Sequence, residues 1–129
     1  MPNSGFDPGA LLARSYALPR GPRVCLRLAR PRDIGGIADL YWSHGHAPDD
    51  LELARLVRFD PRRQIVIVAT ALIGAIESVV GVGAIELGAA PADRPDFVLV
   101  DEQLTEGLEQ LISEALVGRA RLLSGGRAA

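Results

Sequence analysis

The sequence predicts a single α/β domain of the α+β type, a β-α-α-β-β-β-α sandwich with a mostly antiparallel sheet. Two β-branched runs, QIVIVATA at residues 64–71 and VVGVGAIEL at 79–87, are typical of strands covered on both faces. A third apolar segment, FVLV at residues 97–100, is followed by a segment whose apolar residues recur with the period of a helix. The chain has 129 residues, which is enough for one domain with a hydrophobic core.

The N-terminal part combines a loop-rich leader with the first strand and helix. Residues 1–22 contain four prolines and three glycines, which predicts a flexible leader with a short helical turn at residues 10–16. Residues 24–28 alternate in polarity and predict the first strand. Pro31 and Asp33 then open a helix that Gly45 ends.

The middle of the chain predicts a second helix and two strands. Asp49 and Asp50 mark the helix start, because acidic groups favour the positive end of a helix. Its expected buried stripe is Leu51, Ala54 and Val57, and Phe59 is a further candidate. The segment at residues 72–78 is unusually apolar for a loop, so we expect the two flanking strands to extend into it.

The C-terminal helix is predicted from about residue 104 to residue 123. Its apolar residues recur with a clean helical period, at Leu104, Leu108, Leu111, Ile112, Ala115 and Leu116. The domain therefore spans residues 23–124, and residues 125–129 are expected to form a disordered tail.

Composition excludes several classes of function. The net charge of −2 gives no reason to expect a nucleic-acid partner. All fourteen basic residues are arginine, so no lysine can form a Schiff base. Cys25 is the one cysteine, which excludes an intrachain disulfide. Glycines and Glu77 interrupt the most apolar region, so a membrane span is not expected. These features together predict a cytoplasmic protein without a membrane partner.

The most informative segment is FVLVDEQLTEGLEQLISEAL, residues 97–116. A strand runs through a short polar link into a helix, and Gly107 is expected in the first turn of that helix. Such a layout suits an anion site, because the N–H groups at a helix start can hold a phosphate. The link is nevertheless acidic and carries a single glycine.

The element order and three local segments resemble the GNAT (Gcn5-related N-acetyltransferase) family. Residues 26–33 (LRLARPRD) resemble its opening from strand to helix, and residues 79–83 (VVGVG) resemble its third strand. Residues 97–116 resemble its fourth strand and acetyl-CoA helix. The resemblance covers about residues 23–123.

The resemblance implies a site for acetyl-CoA. The pantetheine arm would pair with the backbone of Val98, Leu99 and Val100, and Glu86 would be the catalytic base. The pyrophosphate would lie over the loop formed by Thr105, Glu106, Gly107, Leu108 and Glu109. No metal is implied.

The chain departs from the family pattern in its loop and in its length. The family motif is Gln/Arg-x-x-Gly-x-Gly/Ala; Leu104 stands at its first defining position, Gly107 at the second and Glu109 at the third. Glu109 adds bulk and a negative charge where a phosphate would approach. The family's later strands are expected to be missing, and no tyrosine follows Tyr41 to serve as the general acid.

Two functions therefore stay open. The first is a degenerate GNAT-like domain, non-catalytic or weakly CoA-binding, that acts through protein contacts: its last strand would leave an uncovered edge for a homodimer or a partner chain. The alternative is an active N-acyltransferase that transfers an acetyl group from acetyl-CoA to an amine.

Two other patterns have simpler interpretations. His44 and His46, with the nearby Asp49 and Asp50, match no common zinc spacing, so we expect no metal site there. The first quarter of the chain is rich in arginine and the last quarter is acidic, which is typical of two solvated surfaces. The alternative to two solvated surfaces is a head-to-tail contact between these two regions, within the fold or between subunits.

Overall fold

The structure is a computed structural model that describes residues 15–18, 22–88, 93–101 and 107–128, with side chains described up to residue 123. A 3-10 turn at Pro31–Asp33 leads into the first helix. The strands are β1 (Ser15–Ala17), β2 (Arg23–Leu28), β3 (Gln64–Ile73), β4 (Ile76–Glu86) and β5 (Phe97–Val100), and the helices are α1 (Ile34–Ser43), α2 (Asp50–Val57) and α3 (Leu108–Ala128).

The described strands form one antiparallel sheet. Its order is β1-β2-β3-β4-β5, so each strand pairs with its neighbour in sequence. All four pairings are antiparallel. The expected class, a mixed α+β fold with a mostly antiparallel sheet, is confirmed.

Helices cover both faces of the sheet. On one face, α3 buries its stripe against the odd-numbered positions of β3, such as Ile65 and Ile67. On the other face, α1 and α2 pack over Val66 and Val68. This confirms the expectation that the β-branched run of β3 is covered on both sides. The buried residues of α3 are Leu108, Ile112, Ala115, Leu116 and Ala120.

The hairpin between β3 and β4 is longer than the β-branched runs alone. β3 continues to Ile73 and β4 begins at Ile76, with a two-residue turn between them. Gly74 in that turn has φ 67°, the left-handed conformation that tight hairpin turns require. The expectation that the strands extend into the apolar link is confirmed.

Two local expectations fail. Ser15–Ala17 form strand β1 rather than leader or helical turn, because Tyr16 packs on the edge of the core beside β2. The rest of the expected turn, residues 10–14, lies outside the described residues. In α2 the expected stripe is wrong at Leu51, which is 59% exposed, and correct at Val57, which is buried. The helix buries Leu53 and Leu56 together with Val57.

The start of α3 also differs from its expected position. The helix begins at Leu108, four residues after the expected start, and Gly107 lies directly before it. Gly107 has φ 88°, which right-handed helical residues do not adopt. It therefore belongs to the turn that enters the helix, not to the first helical turn.

A buried ion pair fixes the segment between β2 and α1. The Arg27 guanidinium donates two hydrogen bonds to the Asp33 carboxylate, at 2.7 and 2.8 Å. The same carboxylate accepts the Arg30 backbone N–H at 2.7 Å. The Asp33 side chain is 4% exposed, so its charge depends on these donors rather than on solvent.

Candidate functional site

The candidate site lies where the edge strand β5 approaches the start of α3. Among the described strands, β5 is last in the sheet order and pairs on one side with β4. The side chains of Val98 and Val100 pack toward α3, and Leu99 packs toward α1 and α2. This alternation holds β5 between the two layers of helices.

The register of β5 determines which backbone groups point away from β4. The Asp101 N–H donates to the Val80 carbonyl at 2.9 Å, and the strands pair Gly81 with Val100. Hydrogen-bonded pairs alternate along an antiparallel ladder. The N–H and C=O groups of Val98 and Val100 therefore point toward the outer edge of the sheet.

One side chain from α1 reaches this outer edge. The Nε2 atom of His44, at the C-terminal end of α1, lies 2.7 Å from the Val100 carbonyl oxygen. Because a carbonyl oxygen can only accept a hydrogen bond, His44 donates from Nε2. The contact ties α1 to the end of β5 and occupies one of the outward-facing acceptors.

The turn into α3 is shaped by Gly107. Its carbonyl accepts the Leu111 N–H at 3.2 Å, which makes Gly107 the last residue before the helix. The next three N–H groups have no acceptor within the helix, as at any helix start. Leu108 is buried, whereas Glu109 is exposed in the first turn.

β5 and the start of α3 meet over a glycine of β4. A Cβ atom placed on Gly81 would lie 3.1 Å from Leu108 Cδ2 and 3.4 Å from Val100 Cγ1. It would lie 2.8 Å from Ile112 Cδ1, closer than real Cβ atoms approach. The absence of a side chain at Gly81 therefore lets α3 and β5 close on one another.

The structure brings some of the expected site residues together. Val98, Leu99 and Val100 form β5, and Gly107, Leu108 and Glu109 form the entry to α3. Thr105 and Glu106 lie outside the described residues.

Glu86 lies far from the start of α3. It is the exposed last residue of β4 and pairs with Gln64, whereas Gly81 is the residue opposite Val100. Gly81 and Glu86 are five positions apart, which corresponds to about 17 Å along the strand. Glu86 therefore occupies the opposite end of β5 from Gly107.

Tyr41, near the end of α1, is poorly suited to proton transfer. Burial, together with the charge and hydrogen bond of Glu52, raises the pKa of Tyr41 to about 12. A general acid works best when its pKa is near the working pH. The Tyr41 phenol therefore stays protonated at neutral pH.

The two histidines lie at the end of α1 and just beyond it. Within the described part of the chain, no group of three or more His, Cys, Asp or Glu side chains could hold a metal ion. Asp49 instead caps α2, since its carboxylate accepts the Leu51 N–H at 3.1 Å. Acetyl-CoA, which the sequence resemblance implies, would be held by the outward backbone of β5 and the turn at Gly107.

Sequence reasoning missed the role of His44 and that of Asp33. The contact of His44 with Val100 joins residues that are 56 positions apart in the chain, and no local pattern indicates it. For Asp33 a signal was present: Asp33 is the third residue of the 3-10 turn and accepts from the backbone of Arg30, in the manner of a capping box.

Comparison of the chain with protein-family models, curated proteins and solved structures gives no match. Of the helices that the structure describes, none combines the length and the apolar character needed to cross a bilayer. What the fold and the site define is an antiparallel α+β domain in which the last described strand of the sheet lies beside a helix start.

Proposed function

We propose that the protein is a degenerate GNAT-like domain, non-catalytic or weakly CoA-binding, that acts through protein contacts at the β5 edge. One observation carries the proposal: the N–H and C=O groups of Val98 and Val100 point away from β4 at the edge of the sheet. Outward-facing backbone groups of an edge strand are a template for a strand from another chain, and His44 already donates to one of them, the Val100 carbonyl.

A second copy of the chain is the simplest occupant. If Val98 of one copy lay opposite Val100 of the other, two antiparallel β5 strands would meet on a two-fold axis near Leu99. Each such pair exchanges both backbone hydrogen bonds. The interface uses the same short segment on both protomers, so it closes into a dimer rather than a filament.

One feature supports a non-catalytic function. Glu109 places an exposed carboxylate in the first turn of α3, where it opposes the binding of a phosphate to the helix start.

The test is the mass in solution together with acetyl-CoA binding. We expect sedimentation equilibrium to give a dimer and calorimetry with acetyl-CoA to give no heat in the micromolar range. A monomer at every concentration would overturn the proposal. Val98→Pro removes an outward N–H group without breaking the β4–β5 ladder, so it should weaken the dimer while leaving the circular dichroism spectrum intact.

The alternative function is an acyl-CoA-dependent N-acyltransferase. It is favoured by the left-handed turn at Gly107, which lies beside the outward-facing backbone of β5. The N–H groups after such a turn can hold a pyrophosphate. Micromolar binding of acetyl-CoA would support this alternative, and Glu86→Gln would then test the expected base by its effect on turnover.

A further inference from the structure

A polar cleft lies on the α1 face of the sheet, away from β5. It encloses about 420 Å³ between the first turn of α1 and the hairpin of β3 and β4. Asp33, Asp39, Thr70, Glu77 and Ser78 contribute its polar lining. Nothing in the function proposed above uses it.

A β-bulge shapes this cleft. The register of β3 with β4 shifts from Ala69 opposite Gly81 to Thr70 opposite Val79, which leaves Val80 as the extra residue. Val80 stays in the core under α3, and Val79 packs on the α1 side. Bulges re-aim side chains and are frequent beside binding sites. Thr70 faces the same side as Val66 and Val68 through the regular alternation of β3, and the bulge places Val79 beside it on the α1 side.

Thr70 has no hydrogen-bond partner for its hydroxyl among the described residues. The residue is 3% exposed and lines the cleft. Its hydroxyl is not among the fully buried atoms that lack a partner, so the oxygen is accessible from the cleft. A hydroxyl held in place by a buried side chain and open to a cavity is a position where a ligand can form a hydrogen bond.

The charges around the cleft favour a cation. The Asp33 carboxylate is committed to Arg27 and to the Arg30 backbone, so it has little capacity for a ligand. Asp39 and Glu77 have no ion-pair partner within 4 Å in the part of the chain that is described. Arg32 is the one cationic side chain of the lining. Asp39 and Glu77 therefore outnumber the one arginine of the lining, and the charge of Glu77 also acts on Arg27.

We propose that this cleft binds a small organic cation that also carries a hydroxyl group, of the size of an amino alcohol. The ammonium group lies between Asp39 and Glu77, and the ligand hydroxyl meets the Thr70 hydroxyl. The proposal rests on the cleft alone and is independent of the function proposed for β5.

The first test is a titration of the ¹⁵N-labelled protein with 2-aminoethanol, followed by amide chemical shifts. We expect saturable shifts at Gly36, Thr70 and Ser78, with a dissociation constant on the order of millimolar for so small a probe. Ethane-1,2-diol, which lacks the charge, and propylamine, which lacks the hydroxyl, should bind more weakly. Absence of saturable shifts, or equal shifts with ethane-1,2-diol, would overturn the proposal.

Variants separate the two recognition elements. Asp39→Asn and Glu77→Gln should each weaken 2-aminoethanol binding about two- to fivefold, as expected for exposed charges, whereas Glu114→Gln on α3 should not. Thr70→Val should weaken 2-aminoethanol and leave propylamine unchanged. An equal loss for both amines would refute the role of the hydroxyl. Since Asp39 and Glu77 are exposed, their variants test the site even if Thr70→Val fails to fold.

Discussion

The imidazole of His44 donates a hydrogen bond to the carbonyl oxygen of Val100 across 2.7 Å, and so links the end of α1 to the edge strand β5. The acceptor is one of the groups that a pairing strand would use. An intramolecular contact therefore competes with the proposed intermolecular one. His44 limits how readily the edge accepts a partner.

Replacing His44 should change stability and association in opposite directions. His44→Ala should lower the free energy of unfolding by about 1 kcal/mol, because one hydrogen bond is lost. It should also tighten the dimer about fivefold, since the Val100 carbonyl becomes available to a partner strand. Urea unfolding and sedimentation equilibrium measure the two effects.

The exposed His46 provides the control for this experiment. His46→Ala should alter neither quantity. If His44→Ala destabilises the fold but leaves the dimer unchanged or weaker, β5 does not pair through the Val100 carbonyl.

Removing the charge of Asp33 should be strongly destabilising. Asp33→Asn leaves the Arg27 guanidinium, 13% exposed, without its carboxylate partner, and we expect a loss of about 3 kcal/mol at pH 7. Asp60→Asn is the control, because the pair between Asp60 and Arg62 is solvent-exposed and contributes little. Equal losses in the two variants would contradict the structural importance of the Arg27–Asp33 pair.

The same pair predicts a pH dependence. Burial would raise the pKa of Asp33, but the hydrogen bonds of Arg27 and of the Arg30 backbone, with the charges of Arg27 and Arg32, hold it below its usual value. A lowered pKa stabilises the fold above the unfolded-state value, about 3.9, and this contribution is lost as pH falls through the folded-state pKa. Unfolding free energies between pH 5 and pH 2 should fall more steeply for the native protein than for Asp33→Asn.

Two adjacent glycines of α1 should respond oppositely to alanine. A Cβ atom on Gly36 would lie 2.7 Å from Val79 Cγ2, so Gly36→Ala should destabilise by about 1–3 kcal/mol. Gly35 has no neighbour within 4 Å of such an atom. Gly35→Ala should therefore stabilise by up to about 1 kcal/mol through helix propensity. Thermal unfolding of both variants checks the prediction, which fails if the two changes have the same sign.

Glu109 tests whether its carboxylate controls anion binding at the start of α3. Glu109→Gly should raise the affinity for acetyl-CoA if charge and bulk oppose the pyrophosphate. Glu109→Gln removes the charge and keeps the bulk, so calorimetry with both variants separates the two effects. If neither variant gains affinity, this helix start does not bind CoA.

The architecture could largely be predicted because its signals are local. The β-branched run of β3 and the helical period of α3 each identify an element and its buried face. For α2 the sequence allows two overlapping apolar stripes. One stripe begins with Leu51 and the other with Leu53. Packing in the folded domain buries the stripe that begins with Leu53. Strand β1 is three residues long and depends on pairing with β2, so propensity alone does not reveal it.

The site was less predictable because its contacts are distant in the chain. The sequence placed Gly107 near the entry of α3, and the structure gives it φ 88° directly before the helix. The contact between His44 and Val100 joins α1 to β5, and the chain forms two other strands between them. No periodic pattern in the sequence therefore predicts this contact. Likewise, the bulge at Val80 arises from the pairing of β3 with β4 and is not a property of either segment alone.

The sequential order of the strands has a consequence for biosynthesis. Every strand can pair with one that the ribosome has already made, so the sheet can grow as the chain emerges. Helix α3 is synthesised after the strands, and until it docks the face that carries Ile65, Ile67 and Gly81 has no cover. A released chain that stops before residue 107 would therefore expose an aliphatic sheet surface, which makes it prone to aggregate.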